Sequence, residues 1–136
     1  MSIRYTDGWK YRLEEAFSIM LPPQLMPGRD VELGEWLRCS ATGRLTLSPG
    51  YCWDGPSGPA CDTPNFMTPS LVHDALYQMI GAGLLAEEAR PHADELLWMM
   101  CRERGMNSVR AWLVRRAVKD FGPRHGSAPK RVMEAP

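Results

Sequence analysis

Between Gly50 and Pro69 the chain is so dense in Gly, Pro, Ser and Asp that neither a helix nor a strand is expected to run through it. Gly50, Gly55, Pro56, Gly58, Pro59, Pro64 and Pro69 are interleaved with Asp54, Ser57 and Asp62. Glycine opens the backbone to left-handed conformations, and proline fixes φ and withdraws an amide hydrogen. The segment therefore reads as a long loop, and the elements on its two sides are separate constructions. Long ordered loops tend to be functional.

Ahead of the loop the pattern is that of β structure. Tyr11 to Leu21, Val31 to Cys39 and Leu45 to Leu47 are short runs rich in aromatic and branched residues, divided by turn formers. Ala41-Thr42-Gly43 supplies a hairpin turn between the last two runs, and Pro22-Pro23 with Pro27-Gly28 makes the first connection a loop.

Behind the loop, three helical patterns are separated by glycines. Thr68 is expected to cap a helix whose first residue is Pro69 and whose apolar stripe is Leu71, Val72, Ala75, Leu76, Met79 and Ile80, ending at Gly81-Ala82-Gly83. Pro91 begins or kinks the second, in which Ala93, Leu96, Leu97 and Met100 recur before Gly105 stops it. Ser108 caps the third, where Val109, Trp112, Leu113 and Ala117 share a face and Phe121-Gly122-Pro123 ends it. The expected class is α+β, with N-terminal antiparallel strands followed by a three-helix unit. At 136 residues one domain is the natural size, spanning 1–123: a β part at about 8–50, the loop at 50–69, helices at 69–122, then a polar, disordered tail at 124–136.

Charge is distributed unevenly. Up to residue 100 there are 7 Lys/Arg against 13 Asp/Glu, and after it 9 against 3. A basic helix carrying Arg110, Arg115, Arg116 and Lys119 is most simply a solvated face, although it also suits phosphates or an acidic partner. Trp98, Met99, Met100, Met106 and Trp112 read as packing core before they read as a lipid-facing surface. No nucleic-acid motif is present. No apolar run approaches the roughly 20 residues of a membrane span, and the N-terminus lacks the layout of a signal peptide, so a soluble protein is expected. Cys39, Cys52, Cys61 and Cys101 have neither CxxC nor zinc spacing and read as reduced thiols, with Cys52 and Cys61 placed to pair in an oxidising compartment.

The residues with chemical promise follow the loop directly. His73 and Tyr77 lie on one helix face, four residues apart, with Asp74 about a quarter-turn away and Asp94 at the start of the next helix. Such a set can run hydrolysis by activated water, with imidazole as base, one carboxylate orienting it and a hard cation polarising a carbonyl. Calcium suits oxygen donors, which Asp74 and the carbonyls of Trp53-Asp54-Gly55-Pro56-Ser57-Gly58 would supply. The plainer alternative is that His73 is a satisfied structural histidine and that Asp54 and Asp62 make turn hydrogen bonds. His73, His92, Asp74 and Asp94 can also be assembled on paper into a transition-metal site, although His92 at the helix entry faces away from where Asp94 must point.

His73-Asp74-Ala75-Leu76-Tyr77 resembles the His-Asp-x-x-Tyr motif of calcium-dependent phospholipases A2, and Ala93-Asp94 follows as in the compact versions carried by parvovirus capsid proteins. The interval from Trp53-Asp54-Gly55 to His73 is similar to that between their calcium loop and catalytic histidine. The resemblance implies His73 as water-activating base, Asp94 as the acid orienting it and Tyr77 as a hydrogen-bond partner of Asp94. It also implies a calcium site from Asp74 and the carbonyls of Trp53, Gly55 and Ser57, with Asp54 as an added ligand and the Gly55 amide at the oxyanion. Pro56 and Pro59 depart from the pattern by removing two amide donors from that loop.

From about residue 10 to 123 the chain also resembles an uncharacterised family of phage and prophage proteins. Its members carry strands, a Thr/Trp-Asp-Gly-x-Ser-x-Pro loop, a His-Asp-x-Leu-Tyr helix, an Ala-Asp helix and a last helix ending near Phe-Gly. Those features stand here at 53–59, 73–77, 93–94 and 117–122. This resemblance implies a phage origin but, taken alone, no activity. Together with the phospholipase A2 motif it leads to the expectation of a phage-encoded hydrolase, found in the virion or the host cytoplasm, that touches phospholipid membranes transiently and meets other virion proteins. Two other readings stay open: a non-catalytic virion or tail component that keeps the fold, and a phage protein that binds a host factor through its basic C-terminal helix.

Overall fold

The computed structural model describes the backbone of residues 5–6, 11–53 and 64–125, with side chains over 11–53 and 66–116. Among the described residues seven short strands precede three α-helices, the α+β order expected: β1 (Tyr5–Thr6), β2 (Tyr11–Leu13), β3 (Phe17–Met20), β4 (Val31–Leu33), β5 (Leu37–Cys39), β6 (Arg44–Leu47), β7 (Cys52–Trp53), α1 (Pro64–Gly81), α2 (Arg90–Glu103) and α3 (Ser108–His125).

The strands form two antiparallel sheets, ordered β1-β2-β7 and β3-β6-β5-β4. In the larger sheet the register aligns Phe17, Leu47, Leu37 and Leu33 in one row and Ile19, Leu45, Cys39 and Val31 in another. The intervening row is Ser18, Thr46, Arg38 and Glu32, all polar, so the period of two sets one face inward and one outward. The hairpin at Ala41-Thr42-Gly43 forms as expected, with Gly43 at φ +96° donating its amide to the Ser40 carbonyl. The run from Tyr11 to Leu21 is divided into two strands that belong to different sheets, and Val31 to Cys39 is divided by a turn at 34–36.

α1 packs most of its stripe against the strands. Leu71, Val72, Ala75, Leu76 and Met79 are buried in one core with Leu37, Leu45, Leu47, Trp53 and the α2 residues Ala93 and Met100. A second, smaller core joins Phe66 of α1, Leu97 and Cys101 of α2, Met106, and Ala111 and Val114 of α3.

Helix boundaries differ from expectation in three places. α1 begins at Pro64, a turn earlier than the Thr68 cap, and Pro69 lies inside it. Pro64 has the φ a first helical position requires, and burying Phe66 and Met67 favours the added turn over the hydrogen bond that Pro69 forfeits. α3 is capped by Asn107, whose Oδ1 accepts the Arg110 amide at 2.8 Å, with Ser108 its first residue. It also passes Gly122-Pro123 to His125, because a proline in a last turn costs only one intrahelical bond.

The face of α3 differs as well. The expected face of Val109, Trp112 and Leu113 is exposed, at 68%, 52% and 47%, while Ala111 and Val114 are buried. α3 meets α2 through Ala111 and Val114, which share a buried core with Leu97 and Cys101. Met100 and Met106 are core as expected, Met99 is exposed, and Trp98 is half-buried beneath the Arg115 guanidinium. The tail from residue 126 onward lies outside the described residues. Among the described residues no helix is long and apolar enough to cross a membrane.

Candidate active site

The site is built where α1 and α2 cross, the most extensive contact between helices. α1 presents His73 and Tyr77 on one face, their rings 4.3 Å apart between centroids and tilted by 34°. α2 presents Asp94 in its second turn. Asp94 Oδ1 lies 2.7 Å from His73 Nε2 and also accepts the Tyr77 hydroxyl at 2.7 Å. All three residues are buried: His73 is 6% exposed, Asp94 8% and Tyr77 3%.

This geometry assigns the imidazole proton. A carboxylate oxygen against Nε2 holds the hydrogen there and leaves the lone pair on Nδ1. Among the described residues none hydrogen-bonds to Nδ1. A carboxylate so placed also stabilises the imidazolium that forms when Nδ1 takes a proton. Tyr77 is held neutral, its hydroxyl pushed well above the ordinary tyrosine value, first by burial and then by its bond to Asp94.

Arg90 completes the surroundings. Its guanidinium lies 5.0 Å from the Tyr77 ring centroid and is held by Glu87 through Nε to Oε1 at 2.7 Å and Nη2 to Oε2 at 3.4 Å. The Glu87 hydrogen bond raises the Arg90 pKa further, so the cation is permanent. Sequence reasoning passed over Arg90, although its position four residues before Asp94, and three after Glu87, is the spacing at which helical charges meet.

The other candidates divide between described and undescribed residues. Asp74 is half-buried on α1 beside His73. Trp53 closes β7, with its ring buried and 5.5 Å from that of Tyr11. Trp53 Nε1 donates to Ser70 Oγ at 3.1 Å, and Ser70 in turn donates to the Met67 carbonyl at 2.8 Å, which ties the start of the loop to α1 one turn before His73. Asp54, Gly55, Ser57, Pro56, Pro59, Asp62 and Cys61 lie outside the described residues. The Cys52 thiol donates to the Gly50 carbonyl at 3.5 Å.

His92 stands apart from the site. It lines a cleft of about 360 Å³ with Gln24, Met26, Leu84 and Glu88. Among the described residues no three His, Cys, Asp or Glu side chains converge as a transition metal requires. Of the residues expected to hold calcium, Asp74 stands in the middle of α1 and Trp53 at the end of β7, while the loop residues expected to join them lie outside the described residues.

Compared with protein-family models, with curated proteins and with solved structures, the chain finds no match in any of the three.

Proposed function

We propose that the protein is a phospholipase A2-like hydrolase of bacteriophage origin, dependent on calcium, that cleaves an ester of a phospholipid. The observation that carries the proposal is the buried junction at Asp94 Oδ1, shared by His73 Nε2 and the Tyr77 hydroxyl. It supplies what a water-activating histidine needs: a fixed tautomer, a fixed ring and a counter-charge.

In this mechanism Nδ1 of His73 accepts a proton from water as the oxygen attacks the ester carbonyl. Asp94 stabilises the imidazolium without taking its proton, and Tyr77 holds Asp94 in register. The imidazolium then returns its proton to the leaving alcohol as the fatty acid is released. Asp74, with carbonyls of Trp53, Gly55 and Ser57 and the added carboxylate of Asp54, would hold calcium, which supplies Lewis-acid polarisation of the ester carbonyl. The Gly55 amide would be the matching oxyanion donor.

In this reading the enzyme acts in the virion or the host cytoplasm, touches lipid transiently and neighbours other virion proteins. A second reading draws on the burial of the same network: at 6% and 8% exposure, His73 and Asp94 equally suit a tail or virion component that keeps the hydrogen bonds as a scaffold. Fatty-acid release from mixed phospholipid vesicles, with calcium or chelator, separates the two. Calcium-dependent release by the wild type and none by a folded His73→Gln variant supports the hydrolase; no release from any lipid leaves the scaffold.

A further inference from the structure

α3 turns its larger apolar side chains away from the protein. Val109, Trp112 and Leu113 are exposed, whereas Ala111 and Val114, their neighbours in the sequence, are buried. At spacings of three and four the exposed residues form one continuous strip, which Arg116 extends by a further turn. The Arg116 guanidinium lies 5.4 Å from the Trp112 ring centroid. Single exposed apolar residues are ordinary, but a contiguous strip with tryptophan at its centre marks a contact surface.

We infer that this strip docks the protein on an anionic phospholipid bilayer, with α3 lying in the plane of the headgroups. Charge is the first argument. Over residues 108–125 the helix sequence carries five Lys/Arg against one acid, Asp120, and the exposed Arg116 flanks the apolar strip. The second argument is the chemistry of the pair at its centre. A tryptophan under an arginine places an apolar ring toward acyl chains while the guanidinium stays at phosphate level. An amphipathic helix of this composition lies in the interface and does not span it.

Shape and charge disfavour the other occupants. A second copy would set one basic helix against another, with five Lys/Arg and one acid on each side. The strip is one convex helix face, so a protein partner would have to bring an acidic groove of its own. The inference stands on α3 alone and holds whether or not His73 catalyses hydrolysis.

The test is sedimentation of the full chain with vesicles of phosphatidylcholine, alone or mixed with phosphatidylglycerol, in the presence of chelator. Binding is expected to the anionic vesicles only and to weaken with added salt. Trp112→Ala and Leu113→Ser should each lower the partition coefficient by roughly tenfold. Arg116→Glu should lower it by about fivefold or more. These side chains are exposed, so thermal melts should match the wild type, and Thr46→Ala on the polar sheet face should bind as the wild type does.

No binding to either vesicle, equal binding to both, or unchanged binding by the Trp112 and Leu113 variants would overturn the inference. A dimer in sedimentation velocity that Trp112→Ala abolishes would reassign the strip to a second copy. Loss of an acidic protein partner in the same variants, with no vesicle binding by the wild type, would reassign it to a protein.

Discussion

Asp94 Oδ1 lies 2.7 Å from His73 Nε2, a contact that joins the second turn of α2 to the middle of α1 inside the protein. Asparagine at position 94 keeps the shape of that contact and removes its charge. Asp94→Asn is therefore expected to lower vesicle hydrolysis by about a hundredfold or more, because the imidazolium loses its counter-charge. It should also lower unfolding free energy by about 1–3 kcal/mol. Activity and urea denaturation on the same preparation check both effects, and full activity in a folded variant would remove Asp94 from the mechanism.

Tyr77→Phe deletes a buried hydroxyl bonded to the same oxygen at 2.7 Å, and should cost about 1–3 kcal/mol. It should also change the alkaline limb of stability. Folding raises the tyrosine pKa above its ordinary 10.0, so the folded state keeps a proton that the unfolded state releases. The contribution is therefore complete below pH 10 and declines as pH rises beyond it, by about 1.4 kcal/mol per unit. Chemical denaturation between pH 9 and 11 should show a steeper loss in the wild type than in the variant.

Calcium binding is testable apart from turnover. If Asp74 and the loop carbonyls hold the ion, saturating calcium should raise Tm, with about 2.7 kcal/mol of added stability at a hundred times Kd. Asp74→Asn should abolish that rise, read as the difference in Tm between calcium and chelator for each protein. Equal calcium effects in the two proteins would place the ion elsewhere.

Gly50 is sterically committed. Its φ is +100°, and a Cβ at that position would stand 2.7 Å from Trp36 Nε1. Gly50→Ala should therefore destabilise the protein by about 2–4 kcal/mol, through backbone strain and displacement of the indole together. Urea unfolding should show the midpoint falling at constant m-value.

Cysteine reactivity gives an independent check on the second core. Burial pushes the Cys101 thiol up to about 12 and raises Cys39 as well, against a partial lowering of Cys101 by Arg110 and Arg104. Both should resist an aromatic disulfide reagent at pH 8 in the native protein and react once guanidinium unfolds it. Fast labelling of Cys101 in the folded state would contradict the packing of α3 on α2.

Much of this architecture was legible because it rests on local rules. The Ala41-Thr42-Gly43 turn follows from backbone chemistry, the α1 stripe from its spacing, and the start of α2 from Pro91. The spacing of His73 and Tyr77 put them on one face, and the structure brings Asp94 to both. What escaped depended on tertiary choice. β1 and β7 are two residues long, too short for any period to show. The apolar spacing of α3 favours the face of Val109, Trp112 and Leu113, whereas the face of Ala111 and Val114 is the one packed on α2, a choice that the sequence of one helix cannot show. Arg90 was missed because its partners are a ring and an exposed acid, neither of which forms a motif.

The bond from Trp53 to Ser70 makes one helical turn the common reference for both halves of the chain. Strand half and helix half differ in composition and period, yet they are held in phase by an indole seated three residues before His73. Because Trp53 is also the β7 partner of Tyr11 in β2, the position of that indole carries the register of the smaller sheet directly onto the helix that bears the histidine.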